Sequence, residues 1–176
     1  MRNNLIIILL LIFSTTITSC GQSSISQNDL SIEKNELGLV FTKNKRVVLE
    51  NGVHKIDKES KVVKVSKRDS LTLEEFDILT SNVKSLYCQV KVDYSLTSQQ
   101  LENIADLLEW IHSIKSYKDL VVVPETRSAI RDVAEKYDDK ELENGNYKLE
   151  DFEKSVSANL QKYTNIESID LKFYKK

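Results

Sequence analysis

The spacing of apolar residues changes near residue 96 of this 176-residue chain, and this change restricts the possible folds more than any other feature. Residues 86–94 alternate between apolar and polar side chains, which is typical of a strand with one buried face, so Cys88 is predicted to be buried and unreactive. After residue 96, apolar residues recur every three or four positions, as in helices that bury one side. The pattern predicts an α+β fold, in which an N-terminal antiparallel β-rich half precedes about three helices and a final strand.

Short apolar segments predict the other strands of the N-terminal half. These segments are residues 37–41, 46–49, 61–65, 71–73 and 76–79. Asn51 and Gly52 follow the second segment and are typical of a tight turn, because both residues tolerate a positive φ. We therefore expect a hairpin-like meander in this region.

Three helices are predicted in the second half of the chain. The first is capped by Thr97 or Ser98 and ends near Lys115. The second covers residues 119–137 and places Pro124 in its first turn, where the missing N–H is not needed. A turn at residues 143–146 leads to the third helix, which precedes a final alternating strand. The positions expected to face the core are Leu101, Ile104, Ala105, Leu108 and Ile111 in the first helix, Ile130, Val133, Ala134 and Tyr137 in the second, Leu149, Phe152, Val156, Leu160 and Tyr163 in the third, and Ile169, Leu171 and Phe173 in the strand.

The N-terminal residues have the pattern of a targeting segment. An unbroken apolar run at residues 5–13 follows Arg2, and small residues separate this run from Cys20. Nine helical residues reach about 13 Å, which is too short for a hydrocarbon core of roughly 30 Å. Residues 1–19 are therefore predicted to be a signal peptide and not a membrane span.

The end of this segment, Ile-Thr-Ser-Cys at residues 17–20, resembles the bacterial lipobox, in which the cysteine is diacylated. The resemblance implies cleavage between Ser19 and Cys20 and attachment to membrane lipid through the acylated Cys20, since two or three acyl chains hold a protein firmly. The alternative is a secretory signal in which Cys20 lies at the boundary by chance. Residues 20–31 are predicted to form a flexible polar tether. The absence of aspartate after Gly21 favours the outer membrane of a bacterial cell envelope over the inner membrane.

Residues 120–133, LVVVPETRSAIRDV, resemble the core of the SPFH domain, also called Band 7 or PHB, of stomatins, prohibitins and flotillins. The resemblance extends over residues 32–174, with a β-rich part at 32–96 and a part with helices and a strand at 97–174. The family motif falls on Gly38, Gly52, Pro124, Ser128, Ala129, Ile130 and Tyr137. The resemblance implies a non-catalytic, membrane-associated scaffold or regulator of partner proteins, including membrane proteases.

The sequence also departs from the family pattern. Asn51 takes the place of a turn proline, residues 42–45 lack the usual glycine, and Asn165 stands where a glycine-isoleucine pair is usual, so we expect loops of different shape. The chain stops at Lys176, so the long coiled coil that drives assembly in most members is not expected. Lipid on Cys20 is expected to replace their N-terminal membrane hairpin or span.

No sequence motif indicates an enzyme, a metal or a cofactor. His54, in a predicted turn, and His112, near a predicted helix end, belong to no metal-binding or nucleophile pattern. Acidic residues at 138–139 and 141–143 predict a solvated acidic face and not a catalytic carboxylate pair. With 25 basic and 27 acidic side chains, the chain lacks the positive excess that nucleic-acid binding needs.

Charge is nevertheless unevenly distributed along the chain. Residues 36–68 contain nine basic and four acidic side chains, whereas residues 132–153 contain three basic and nine acidic ones. Opposite charges at two ends can steer head-to-tail association into a homo-oligomer, and the basic half can also meet an anionic membrane. Arg127 and Arg131 share one helix face and are predicted to pair with carboxylates of a neighbouring molecule, the alternative being two solvated arginines.

Three functional hypotheses remain. The first is the lipid-anchored scaffold that the resemblance implies. The second is a small monomeric envelope lipoprotein that binds or inhibits a single, unknown protein partner. The third is an enzyme without a recognisable motif. Self-association separates the first from the second, because a scaffold assembles and an inhibitor of one partner need not.

Overall fold

The computed structural model describes residues 27–43, 45–111 and 114–175. The predicted signal peptide, the cleavage site at Ser19 and Cys20, and His112 lie outside the described residues. Within the described part of the chain, no helix combines the length and the hydropathy that a membrane crossing requires.

The order of elements confirms the predicted α+β class, with an antiparallel β-rich N-terminal half, then helices and a final strand. The strands are β1 (Gln27–Ile32), β2 (Glu36–Phe41), β3 (Arg46–Leu49), β4 (Gly52–Asp57), β5 (Lys61–Ser66), β6 (Arg68–Leu79), β7 (Ser85–Ser95) and β8 (Asn165–Tyr174). The helices between β7 and β8 are α1 (Ser98–Asn103), α2 (Ala105–Ile111), α3 (Ile114–Tyr117), a π-helix (Lys118–Val122), α4 (Val123–Ala134), α5 (Asp139–Glu143) and α6 (Leu149–Leu160).

The strands form three antiparallel sheets with the orders β1-β4, β3-β2-β5 and β6-β7-β8. Strand β2 is buried on both faces, because one face contributes to the main core and the other lies under the two-stranded sheet β1-β4, which we call the ribbon. A Cβ atom added to Gly38 would lie 2.5 Å from Cδ1 of Ile32 in the ribbon. Glycine therefore permits the close approach of the ribbon to β2.

The main core confirms most of the predicted buried positions. It joins β2 and β5, the inner face of sheet β6-β7-β8 and the apolar sides of α1, α2, α4 and α6. Cys88 is fully buried, and burial raises the pKa of its thiol to about 12, in agreement with the prediction of an inert cysteine. Leu149 is an exception, since it is the first residue of α6 and is exposed.

The β-rich half differs from the sequence prediction at three places. Residues 27–31, assigned to the tether, form part of β1, and β4 was not predicted as a strand. Gly52 adopts a φ of +141° after a bend, but no hairpin forms, because β3 pairs with β2 while β4 pairs with β1. Segments 71–73 and 76–79 belong to one strand, β6, with a register shift between Leu73 and Phe76.

The helical half is divided more finely than the sequence predicts. The first predicted helix breaks at Ile104 into α1 and α2, and residues 139–143 form the unpredicted helix α5. Pro124 lies in the first turn of α4, as predicted, directly after the π-helix. The N–H of Val123 bonds to the carbonyl of Lys118, five residues back, as in a wide π-helical turn, and Pro124 has no N–H to offer the carbonyl of Leu120.

Candidate functional site

The two charged segments lie at opposite ends of sheet β6-β7-β8. Strand β5 of the basic segment leads directly into β6 at the end of the sheet where Arg68 pairs with Ser95. Helix α5 of the acidic segment adjoins the other end, close to Lys175 after β8. Strand β7 has 11 residues and spans roughly 35 Å at about 3.3 Å per residue. The fold therefore keeps the basic and the acidic segment far apart.

Five exposed lysines lie together at the free end of the β-rich half, which we call the lysine end. They are Lys43, Lys45, Lys55, Lys58 and Lys61. Phe41 pairs with Arg46 in β3 and with Lys61 in β5, so the β2–β3 turn lies beside the start of β5. Lys43 forms an ion pair with Glu59 at 2.8 Å, which raises the pKa of the lysine.

A cleft of about 280 Å³ opens at the lysine end between β3 and β4. Its walls include Val47, Leu49 and Ile56, and Lys45 and Lys55 also line it. Ser60 contributes a hydroxyl oxygen that is buried and has no hydrogen-bond partner within the described part of the chain. The cleft thus combines apolar walls with cationic and hydroxyl groups.

At the other end, a buried carboxylate organises what we call the Asp139 cluster, which comprises Asn82, Lys84, Asp139, Glu143 and Lys175. The side chain of Asp139 is 2% exposed. It accepts a hydrogen bond from Nδ2 of Asn82 at 2.8 Å and lies 3.0 Å and 3.1 Å from Nζ of Lys84 and Lys175. Hydrogen bonds from Asn82 and the two lysines hold the pKa of Asp139 well below its usual range.

The prediction of a solvated acidic face is therefore wrong for Asp139. Its neighbours Asp138 and Glu141 form a capping box, in which each side chain accepts a backbone N–H of the other residue. Both carboxylates thus begin helix α5, and Glu143 at the end of the helix binds Lys175 at 2.6 Å. The carboxylates of residues 138–143 therefore stabilise the local structure around α5.

The loop between β6 and β7 is held tightly against the Asp139 cluster. The N–H of Ser81 donates to the carbonyl of Tyr137 at 2.9 Å, and Oγ1 of Thr80 donates to Oδ1 of Asn82 at 2.6 Å. Val83 has a φ of +59° and is 77% exposed. A β-branched residue in this conformation is strained, so the surrounding contacts must impose it.

Arg127 and Arg131 lie together over one aromatic ring, that of Phe76. Their guanidinium carbons are 5.4 Å and 5.5 Å from the ring centroid, and Nε of Arg131 donates to the carbonyl of Asp77 at 3.0 Å. The spacing of four residues correctly placed the arginines on one face. It gave no indication of Phe76, which comes from a distant strand. Pairing with a neighbour's carboxylates stays a prediction.

The other motif positions mark turns and packing contacts. Gly38 and Gly52 lie in the β-rich half, as described above. In α4, Ser128 is exposed, whereas Ala129 and Ile130 are fully buried. The hydroxyl of Tyr137 donates to Asp151 at 2.9 Å and accepts the N–H of Lys148. Tyr137 therefore joins the end of α4 to the start of α6.

His54 lies within β4 and not in a turn, which corrects the sequence prediction. Its Nε2 atom is 2.8 Å from the carbonyl oxygen of Glu50. Among the described residues, no group of three or more histidine, cysteine, aspartate or glutamate side chains is placed to hold a metal ion.

Comparison with protein-family models and with curated proteins gives no match for this chain.

Proposed function

We propose that the chain is a lipid-anchored, SPFH/Band 7-like scaffold or regulator of partner proteins in a bacterial cell envelope, without catalytic function. The order of elements around residues 120–133 supports this proposal. Those residues form the end of the π-helix and most of α4, and they follow an antiparallel β-rich half. Residues 137–142, which are similar to a family stretch of an aromatic residue followed by acidic ones, lead into α5, and α6 then precedes the last strand.

The anchor in this proposal is the acylated Cys20. Two or three acyl chains on one cysteine provide the multiple membrane signals that stable attachment needs. Strand β1 begins at Gln27, so only seven chain steps separate the acylated residue from the fold. The domain is then confined to the membrane surface, where partner proteins of the same membrane are concentrated around it.

A second candidate is a monomeric envelope lipoprotein that binds or inhibits a single protein. The position of the two arginines favours it, because Arg127 and Arg131 already contact Phe76 of their own chain. Side chains used in this way are less available to a neighbouring copy. The two candidates differ in the number of copies that associate on the membrane.

To test the two candidates, the full chain is expressed in bacteria. Incorporation of a labelled acyl chain and chemical crosslinking of the protein in the cell envelope are then measured. The scaffold proposal predicts a label that is lost in Cys20→Ser, together with a ladder of crosslinked copies. The variant Arg127→Glu/Arg131→Glu is expected to shorten the ladder without removing the label. A single product of constant size that contains one other protein would support the second candidate. Absence of the label from the wild-type chain would contradict the anchor.

A further inference from the structure

We propose that the cleft at the lysine end is a membrane-docking site that takes the phosphate group of an anionic phospholipid, with Lys45 and Lys55 as its cationic partners. This inference deepens the proposed function and rests on it, because the phospholipid belongs to the membrane that holds the acylated Cys20.

The cleft is a consequence of how the ribbon lies on sheet β3-β2-β5. The two layers touch where Gly38 allows Ile32 to approach β2. Farther along β2, at Val40, they separate, and the cleft lies between them. A volume of about 280 Å³ lies at the lower end of the range for ligand sites, so it suits a phosphate and part of a glycerol group better than a large ligand.

The groups that line the cleft match the chemistry of such a headgroup. Lysine ammonium groups and a serine hydroxyl donate hydrogen bonds, which phosphate oxygens accept. The buried hydroxyl of Ser60 has no other partner within the described residues. The one carboxylate in the lining, Asp57, accepts the N–H of Glu59 at 3.1 Å, and the two lining lysines outweigh its single negative charge.

The chain enters the fold at the same place. Gln27, the first residue of β1, pairs with Asp57 at the cleft. Seven chain steps link Cys20 to Gln27, so the acylated residue lies at most about 25 Å from this point. A membrane that holds Cys20 is therefore always within reach of the lysine end.

The charge distribution orients the domain in the same sense. Lys43, Lys58 and Lys61 directly follow three lining residues, Thr42, Asp57 and Ser60, in the chain. Lys43 is paired with Glu59, and the excess of positive charge at this end adds to the attraction of an anionic surface. The acidic segment 132–153 lies at the far end of sheet β6-β7-β8, where the same surface repels it. Both effects turn the cleft toward the membrane.

The test measures how the full chain carrying Cys20→Ser sediments with two kinds of vesicle. The substitution removes the acyl chains, which would otherwise mask weaker binding. One kind is pure phosphatidylcholine, and the other contains about a third phosphatidylglycerol. Two exposed pairs are changed, Lys45→Glu/Lys55→Glu at the cleft and Lys136→Glu/Lys140→Glu at the acidic end, with the same change in net charge. Circular dichroism confirms that both variants remain folded.

We expect tighter binding to the phosphatidylglycerol vesicles, reduced about tenfold by the cleft variant and much less by the control variant. Equal losses in both variants would overturn the proposal, because binding would then follow net charge alone. Absence of a preference for the anionic vesicles would overturn it as well. Binding of inorganic phosphate at the cleft without binding of the anionic vesicles would assign the cleft to a free anion and not to a lipid. Acyl labelling of the wild-type chain tests the anchor separately, so either proposal can fail while the other stands.

Discussion

The two ends of sheet β6-β7-β8 use their charges in opposite ways. In the Asp139 cluster, a carboxylate that is 2% exposed lies between two lysines and an asparagine amide. At the lysine end, five lysines point to solvent around an open cleft. Buried, paired charges fix the structure locally, whereas an excess of exposed charge of one sign attracts a surface of opposite charge. The comparison supports the proposal that the lysine end, and not the Asp139 cluster, meets another surface.

The strongest test of the comparison removes the aromatic packing beside the Asp139 cluster. Phe152 is fully buried and lies 6.1 Å from the ring of Tyr137, 5.4 Å from Tyr147 and 5.6 Å from Phe173. The substitution Phe152→Ala leaves a cavity, and we expect it to lower the free energy of unfolding by about 3–5 kcal/mol. Urea unfolding followed by circular dichroism measures this change.

The matched control for Phe152→Ala is Lys45→Ala/Lys55→Ala at the lysine end. These exposed side chains form no part of the core, so the free energy of unfolding should change by less than about 0.5 kcal/mol. A large loss of stability in this control would show that the lysine end is also a structural element, and the contrast between the two ends would be wrong.

The substitution Asp139→Asn tests whether the buried charge stabilises the fold. We expect the Tm at neutral pH to fall by about 5 °C, because Lys84 loses its anionic partner and Lys175 keeps only Glu143. The pKa of Asp139 is lowered in the folded protein, so its contribution is complete above the ordinary value of 3.8 and is lost as the pH falls further. The difference in Tm between the wild type and the variant should therefore shrink below about pH 4. A difference that is constant from pH 7 to pH 2 would mean that shape, not charge, is responsible.

The contact between Gly38 and Ile32 determines how the ribbon is held beside the cleft. A methyl group in Gly38→Ala would lie 2.5 Å from Cδ1 of Ile32, which is itself 1% exposed. We expect a loss of about 1–2 kcal/mol in the free energy of unfolding. The double variant Gly38→Ala/Ile32→Val removes the clashing atom and should regain part of this loss. If both variants are equally unstable, the close approach at Gly38 is not the cause.

The smallest expected effect is a gain in stability at Val83. Its positive φ is unfavourable for a β-branched residue, and its exposed side chain offers little packing in return. We expect Val83→Gly to raise the free energy of unfolding by up to about 1 kcal/mol. The substitution should also leave vesicle binding unchanged, because the loop lies at the Asp139 end. A loss of stability would contradict the assignment of strain.

Periodicity predicted the elements that bury one regular face. The alternation in residues 86–94 became β7, and the stripe with Leu101 and Leu108 became the inner side of α1 and α2. The strands β1 and β4 lacked such a pattern, because they pair with each other as a ribbon and expose most of their side chains. Backbone hydrogen bonds between two such strands do not require a particular pattern of side chains, so the sequence did not predict them.

Contacts between distant segments explain what could not be predicted at the candidate sites. Asn82, Asp139 and Lys175 meet only after the sheet and α5 are in place, so a run of acidic residues looked like a solvated face. The excess of lysine in residues 36–68 was visible from the start. Its concentration around one cleft was not, since it depends on β3 and β4 belonging to different sheets.

The central claim is that the lysine end faces the membrane, and position-specific quenching on the acylated full chain tests it most directly. A fluorescent dye is attached to the new cysteine of Lys45→Cys or of Lys140→Cys. Its fluorescence is then measured on anionic vesicles whose headgroups carry a quencher. The native Cys88 is buried and has a pKa raised to about 12, so it should not take up the dye. We predict strong quenching at position 45 and weak quenching at position 140. Equal quenching at the two positions, or the reverse order, would contradict the account.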